Sequence, residues 1–460
     1  MNIKPIAAPY SPDPKIASLG EKIGDRVAPA DFPETRLRFR NDRWAATVGL
    51  DGLNDGDWVR HFGRFETLPD NMTQPLALRY HGHQFRHYNP DIGDGRGFLF
   101  AQMRDHQGRL LDLATKGSGT TPYSRQGDGR LTLKGGIREI LATEMLEALG
   151  VETSKTFSLI ETGEALMRGD EPSPTRSAVM VRLSHSHIRF GTFQRIAAEG
   201  DAAMMQRLVD YCLRELYGVD AADNPAATLL NLAVERVAVQ AASYMVAGFV
   251  HGVLNTDNIN ITGESFDYGP WRFTPYWDPS FTAAYFDHQG LYAFGRQAEA
   301  MHWNLGQLAV ALRLICDAPP LIAALERFST CYQAAILERF VWRLGVGSQG
   351  DEQDRVLVEA AERAMVGGKI LIDDFFLSHR GGHRPLAFSD TVEYQHFTDI
   401  LKTYHAVETE HELGGQQRNP CSMHVEEVEA IWDEIAQRDN WVPLNTKIAA
   451  IRQMGKALSR

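Results

Sequence analysis

Hydrophobic positions change their spacing along the chain, from short apolar runs in the first part to helical periods in the second. Apolar runs with the length of buried strands occur over residues 98–103, 110–115, 156–161 and 177–183. Between the second and the third run, Ile137, Leu141 and Met145 repeat every four residues, and Gly150 follows. This spacing predicts one helix over residues 133–149, ended by the glycine.

Beyond residue 190 the periods are almost entirely helical. We predict helices over residues 203–217, 228–248, 301–316, 320–343, 352–366, 391–411, 424–437 and 445–459. Residues 1–50 contain several prolines and no sustained period, which predicts an irregular segment with short helical pieces. Because 460 residues exceed what one hydrophobic core usually supports, we expect two lobes, and the irregular segment precedes them as an arm. These are an N-terminal arm over residues 1–72, a mixed α/β lobe over residues 73–190 and a mainly α-helical lobe over residues 191–460.

Composition and charge narrow the possible partners. Hydrophobic residues make up 43% and charged residues 23% of the chain, which are ordinary values for a folded globular protein. The formal net charge of −12 argues against nucleic acid or an anionic membrane as the main partner. The four cysteines are too few and too scattered for a disulfide framework or a zinc site. The sequence has neither a signal-like N-terminus nor an apolar stretch of membrane-spanning length, so we expect a cytoplasmic protein.

The segment His251 to Asn258, with the sequence HGVLNTDN, carries the strongest chemical signal, and Asp267-Tyr268-Gly269 follows it. Kinase-like phosphotransferases use an Asn and a later Asp-aromatic-Gly to hold a metal against phosphates. Asn258 and Asp267 fit these two roles. The position after His-Gly, where small-molecule kinases usually carry the catalytic Asp, is Val253, and the nearest carboxylate is Asp257. An active protein therefore needs a rearranged catalytic loop or a different reaction.

A lysine at the end of a buried strand supports the same kinase-like interpretation. Lys116 ends the apolar run at 110–115, and a buried lysine costs free energy unless it is paired. The predicted helix over residues 133–149 offers Glu139 and Glu144. A strand lysine paired with a helix glutamate orients the phosphates in kinase-like proteins. We therefore predict an α+β, protein-kinase-like bilobal fold with a mixed α/β N-lobe and a mainly α-helical C-lobe.

Two short glycine-rich segments are candidates for contact with a nucleotide. Gly93, Gly95 and Arg96 belong to a Gly-Asp-Gly-Arg segment, and Asp128 and Gly129 belong to a second one. Glycines of this density let a backbone approach phosphates closely, and arginine supplies a fork of donors. Taken alone, such a segment is more often a plain hairpin turn.

Further polar residues have a functional and a structural interpretation. Arg182 and Arg189 could both reach a polyphosphate, although each alone would be an ordinary surface charge. His81, His83 and His87 could form a metal cluster, but no fourth ligand follows at a recognisable spacing, so loop histidines that make hydrogen bonds are favoured.

Several motifs in a fixed order resemble the selenoprotein O family over about residues 74–300. They are YHGHQF, GDGRG, LATKGSGTTPYSRQGDGR, IREIL, SHIRFGTFQ, HGVLNTDNINI and DYGP. The resemblance implies a kinase-like fold without the usual catalytic aspartate. It also implies transfer of AMP from ATP to Ser, Thr or Tyr hydroxyls of proteins, with the nucleotide bound in the reverse orientation to that in kinases.

The resemblance also implies roles for individual residues. Asp257 would take the proton from the acceptor hydroxyl, and Asn258 and Asp267 would bind Mg²⁺, or Mn²⁺ in its place. The remaining residues would bind ATP: Lys116 paired with Glu139, Arg182 and Arg189 at the phosphates, and Gly93, Gly95, Arg96, Asp128 and Gly129 along the nucleotide.

Two alternatives remain beside adenylyl transfer. One is a kinase that uses Asp257, and the other is a non-catalytic nucleotide-binding pseudokinase that acts as an interaction module. Val253 and a stretch at residues 282–286 that departs from the family favour the interaction module. Retention of Lys116, Asn258 and Asp267 disfavours it, because such groups cost stability when they are buried without a function.

Overall fold

One eight-stranded antiparallel sheet, two two-stranded sheets and a set of helices make up the computed structural model, which describes residues 6–169, 171–220, 222–383, 389–407 and 420–459. The strands are β1 (Gly24–Arg26), β2 (Arg36–Arg40), β3 (Leu76–Leu78), β4 (Gly82–Gln84), β5 (His87–Asn89), β6 (Leu99–Arg104), β7 (Leu110–Lys116), β8 (Leu131–Thr132), β9 (Lys155–Leu166), β10 (Thr175–Ser184), β11 (Phe249–Val250) and β12 (Arg272–Phe273). The helices are α1 (Asp42–Ala46), α2 (Asp55–Phe62), α3 (Leu133–Ala148), α4 (Phe190–Ala198), α5 (Ala202–Tyr211), α6 (Pro225–Ala247), α7 (Gln297–Leu312), α8 (Ala318–Glu326), α9 (Phe328–Leu344), α10 (Asp351–Gly368), α11 (Ile372–His379), α12 (Val392–Leu401), α13 (Val425–Arg438) and α14 (Val442–Leu458). The predicted mixture of sheet and helices is confirmed.

The main sheet has the strand order β1-β3-β6-β7-β10-β9-β2, with β8 paired to β10. Its central strands β7 and β10 are buried along almost their whole length because both faces are covered. In β10, Val179 and Val181 belong to an aromatic-rich core that includes residues of α2, while Ala178 and Met180 face the core that contains α3. Alternate residues of a strand point to opposite faces, so a strand between two cores has no face exposed to solvent.

The N-terminal arm contributes more regular structure than its sequence indicates. Strand β1 pairs with β3 at one edge of the sheet, and β2 pairs with β9 at the other. The prediction of an irregular segment with short helical pieces over residues 1–50 is correct for α1 but misses both strands, and α2 lies beyond that range. The sequence of β1, GDR, is too short to show any alternation. In β2, by contrast, Leu37 and Phe39 alternate with three arginines, so this strand could have been predicted.

Helix α3 lies at the centre of the molecule and agrees with its predicted range. Thr132 caps it, since the Thr132 Oγ1 accepts a hydrogen bond from the Gly135 N–H at 3.1 Å. One side of the helix packs on β9 and β10, and another packs on the C-terminal helix α14. Glu144 faces α14, where both of its oxygens accept hydrogen bonds from Arg452 at 2.6 and 2.8 Å.

The variant Arg452→Ala should lower the free energy of unfolding by about 2 kcal/mol. Glu144 is only 3% exposed, so the variant leaves a buried carboxylate with a single weaker contact to Arg43 at 3.6 Å. Urea denaturation measures the change. The matched control is Arg363→Ala, because Arg363 pairs with Glu359 on an exposed face of α10 and should contribute only about 0.3 kcal/mol. Equal effects of the two variants would contradict the structural role of Arg452.

The predicted helices of the second part are present, with differences at their ends. The predicted helix over residues 320–343 is two helices, α8 and α9, which are separated at Arg327. The predicted helix over residues 391–411 ends at Leu401, and residues 408–411 lie outside the described ranges. Helices α4 and α11 were not predicted, because nine and eight residues are too few to establish a helical period.

Among the helices of the described ranges, none combines the length and the apolar character that crossing a bilayer requires.

Candidate active site

A cavity of about 640 Å³ gathers charged residues from distant parts of the chain. Among the described residues, seven basic side chains and four carboxylates line it: Arg96, Lys116, Arg125, Arg130, Arg168, Arg182 and Arg189 with Asp94, Asp128, Asp257 and Asp267. This excess of positive charge lies in a protein whose formal net charge is −12. The cavity is therefore suited to a small polyanion, because its local charge is opposite to that of the whole molecule.

Lys116, the last residue of β7, is held between two carboxylates. Its Nζ lies 2.5 Å from Glu139 Oε1 and 2.8 Å from Asp267 Oδ1. The structure therefore selects Glu139, and not Glu144, as the partner on α3. The other oxygen of Glu139, Oε2, is buried and has no hydrogen-bond partner among the described residues. Lys116 thus joins the sheet to the segment that carries Asp267.

Asp267 is the point on which the cations converge. Besides Lys116, Arg182 Nη1 and Arg189 Nη1 each lie 3.6 Å from one of its oxygens. Burial alone would raise the pKa of this carboxyl, but the three nearby cations hold the pKa well below its usual range. Its φ of 65° is in the left-handed region, which is uncommon for residues other than glycine and recurs at functional sites. Asp267 is therefore ionised at neutral pH.

Arg182 and Arg189 each have N–H groups without an acceptor among the described residues. Arg182 is 4% exposed, and its Nε and Nη1 have no hydrogen-bond partner among the described residues. Arg189 donates to the Asp257 backbone oxygen at 2.9 Å and to Asp94 Oδ1 at 3.1 Å, while its Nε has no partner there. Buried N–H groups without acceptors cost free energy, and the oxygens of a bound phosphate would supply the acceptors.

Asp257 lies beside this cluster in a single helical turn, Thr256–Asn258. Its Oδ1 is buried without a hydrogen-bond partner among the described residues, and its Oδ2 accepts one hydrogen bond, from Gln84 at 3.4 Å. Burial raises the pKa of this carboxyl to about 6. A carboxylate with such a pKa is suited to accept a proton near neutral pH.

Asn258 follows Asp257 but does not line the cavity. Its Nδ2 donates to the Val253 backbone oxygen at 2.9 Å, which leaves the amide oxygen free to face elsewhere. Val253, which occupies the position of the expected catalytic aspartate, therefore orients the Asn258 side chain through the Val253 backbone oxygen.

The first glycine-rich segment lines the cavity, but its glycines are needed for packing. A Cβ on Gly97 would lie 2.2 Å from the Thr115 backbone oxygen, and one on Gly93 would lie 2.5 Å from the ring of Tyr123. The turn can therefore lie directly against β7 and the loop around Tyr123 only if these positions lack side chains. In the second segment, Asp128 is paired with Arg168.

The structure brings ten of the twelve predicted site residues to the cavity wall. They are Gly93, Gly95, Arg96, Lys116, Asp128, Gly129, Arg182, Arg189, Asp257 and Asp267, while Glu139 pairs with Lys116 of the wall and Asn258 directly follows Asp257 in the chain. Sequence reasoning missed Gln84, Asp94 and Tyr123, which also line the cavity. Asp94 could have been found, because it lies between two predicted glycines. Gln84 carries no local signal.

Comparisons with known proteins agree with this geometry. The family model described as Protein adenylyltransferase SelO matches residues 7–452. The chain is 42% identical to the Protein nucleotidyltransferase YdiU of Synechocystis sp., over 96% of this chain and 97% of the relative. It is 42% identical to that of Synechococcus elongatus, over 98% and 96%, and 35% identical to that of Pseudomonas putida, over 84% and 79%. The chain therefore belongs to the protein adenylyltransferase SelO family.

Proposed function

We propose that this protein is a Mg²⁺- and ATP-dependent protein adenylyltransferase that transfers AMP to Ser, Thr or Tyr hydroxyls of acceptor proteins and releases pyrophosphate. The observation that carries the proposal is the convergence of Lys116, Arg182 and Arg189 on Asp267, beside the buried carboxylate of Asp257. Family membership supports the same reaction.

The fold that accompanies this function is protein-kinase-like and bilobal. Its parts are the arm over residues 1–72, the N-lobe over residues 73–190 and the C-lobe over residues 191–460. Two observations support this division. Lys116 comes from the sheet while Asp257 and Asp267 come from the part dominated by helices, and Glu139 on α3 pairs with Lys116 as in kinases.

A divalent metal would be held by Asp267 and Asn258. Among the described residues, no three His, Cys, Asp or Glu side chains are arranged as a metal cage. One carboxylate and one amide oxygen fit Mg²⁺, which usually completes its coordination with substrate phosphates and water, and Mn²⁺ accepts the same oxygen donors. When bound, the metal neutralises charge on the phosphates.

The phosphates lie against Lys116, Arg182 and Arg189, and the free donors of the two arginines suit phosphate oxygens. The rest of the nucleotide extends along the wall that contains Gly93, Gly95, Arg96, Asp128 and Gly129. ATP entering this site competes with Asp267 for the cations, so Lys116 exchanges one carboxylate contact for contacts to phosphate.

Asp257 acts as the base. It takes the proton of the acceptor hydroxyl, whose oxygen then attacks the α-phosphorus of ATP. A new oxygen–phosphorus bond forms, the bond between the α-phosphorus and the bridging oxygen breaks, and pyrophosphate leaves with its charge stabilised by the basic residues. No carboxylate is needed at Val253, because the base approaches from residue 257.

Labelled ATP tests this reaction directly. Wild-type protein should transfer label from [α-³²P]ATP, and not from [γ-³²P]ATP, to proteins of a lysate in the presence of Mg²⁺. The variant Asp257→Ala should lower the rate about 10²-fold, since it removes the base. The control Asp278→Ala changes an exposed carboxylate that only orders a local turn, and it should retain the wild-type rate.

Two outcomes contradict the proposal. Label from the γ-phosphate would identify a kinase that uses Asp257. ATP binding without any label transfer, with the same lysate labelled by an active relative, would favour a non-catalytic interaction module.

A further inference from the structure

The hairpin formed by β4 and β5 packs on the turn that carries Asp257. The His83 N–H donates to Thr256 Oγ1 at 2.7 Å, and the Phe85 N–H donates to Asn255 Oδ1 at 3.1 Å. These bonds attach the hairpin backbone to the two residues that precede Asp257. The sequence had placed this segment in a loop, and its pairing as a hairpin gives it a defined face.

Strand alternation turns two residues of β4 toward Asp257. A Cβ on Gly82 would lie 2.8 Å from Asp257 Oδ1, and Gln84 Nε2 donates to Asp257 Oδ2. His83, between them, faces the other way, where its ring contacts Gln194 at 2.7 Å. The absence of a side chain at residue 82 lets the carboxylate lie directly against the strand, within reach of the Gln84 amide.

A chain of amides determines which end of the Gln84 side chain faces Asp257. The Asp91 N–H donates to Asn89 Oδ1 at 2.9 Å, and Asn89 Nδ2 donates to Gln84 Oε1 at 3.1 Å. Because a backbone N–H can only donate, the Asn89 amide must turn its nitrogen toward Gln84. The Gln84 amide must then turn its nitrogen toward Asp257.

We infer that Gln84 is a positioning residue for Asp257, and that Asn89 orients it by holding the Gln84 oxygen. This inference rests on the proposed function, in which Asp257 is the base. Gln84 is the only side-chain donor to the Asp257 carboxylate among the described residues. Its N–H group holds the carboxylate in one orientation through this contact.

Two substitutions test the inference through the rate of AMP transfer. Gln84→Ala removes the donor and should lower kcat about tenfold, with KM for ATP unchanged. Asn89→Asp keeps the shape of residue 89 but replaces its donor by an acceptor, so the Gln84 amide should flip and present its oxygen to Asp257. It should lower kcat by a similar factor without touching the base.

The double variant and a control separate positioning from general structural damage. Gln84→Ala/Asn89→Asp should be no slower than Gln84→Ala, because both changes remove one interaction. Arg86 lies at the tip of the same hairpin, and Arg86→Ala removes an exposed ion pair with Glu299 and a cation–π contact with Trp303 but no contact to Gln84 or Asp257, so it should retain the wild-type kcat. Unchanged kcat in Gln84→Ala or Asn89→Asp, multiplicative losses, or losses confined to KM for ATP would each overturn the inference.

A second measurement does not depend on the reaction. In urea denaturation at pH 7.5, the effects of Gln84→Ala and Asp257→Ala should be non-additive, since the two residues contact each other. Additive effects would overturn the inference even if AMP transfer is normal. Absence of AMP transfer by the wild type would instead overturn the proposed function, while non-additive denaturation would still establish the contact.

Discussion

Asp267→Asn is expected to lower the rate of AMP transfer about 10⁴-fold, because the variant loses the only carboxylate assigned to the divalent metal. The same variant should bind pyrophosphate about tenfold more tightly than the wild type when EDTA removes divalent metal. The reason is that the Asp267 carboxylate contacts Lys116, Arg182 and Arg189 and competes with phosphate oxygens for them. A lower rate of AMP transfer together with tighter pyrophosphate binding is expected only of a carboxylate that both binds the metal and competes with phosphate for the same cations.

The two effects are measured separately. Incorporation of α-phosphate label gives the rate with Mg²⁺, and isothermal titration calorimetry in EDTA gives the affinity for pyrophosphate. Asp439→Asn is the matched control, since Asp439 also lies between two arginines, Arg38 and Arg176, but does not line the cavity. A rate within tenfold of the wild type, or weaker pyrophosphate binding, would contradict the role of Asp267.

Lys116→Met is expected to lower kcat/KM for ATP about 10³-fold, because it removes a buried cation from the phosphate site. It should also lower the free energy of unfolding by about 3 kcal/mol, since Glu139 is 1% exposed and loses its charged partner. The double variant Lys116→Met/Glu139→Gln should recover most of the stability and none of the activity. Activity assays and urea denaturation on the same preparations distinguish the two effects.

Lys155→Met is the control for this series. Lys155 lies at the start of β9 and pairs at 3.4 Å with Glu147 of α3, the helix that also carries Glu139. Lys155 does not line the candidate active site. It should therefore lose some stability and keep the wild-type kcat/KM. Recovery of activity in the double variant would show that Lys116 serves only to neutralise Glu139.

The pairing of Lys116 with α3 could be predicted because each partner belongs to an element with a clear pattern. The choice between Glu139 and Glu144 could not. Five residues correspond to about 140° around a helix, so the two side chains leave α3 in different directions. Helix α14 takes one of those directions with Arg452, and this contact assigns Glu144 to the C-terminal helix and leaves Glu139 for the strand.

The sequence by itself determined most strand and helix periods and the motifs that indicate the family. It also predicted which charged residues gather at one cavity. These features are local, since a period or a motif depends on residues a few positions apart. Only the tertiary structure decided the edge strand β1 and the contact between Gln84 and Asp257. These two residues are 173 positions apart, and no spacing along the chain encodes the distance between elements that meet only when the chain folds.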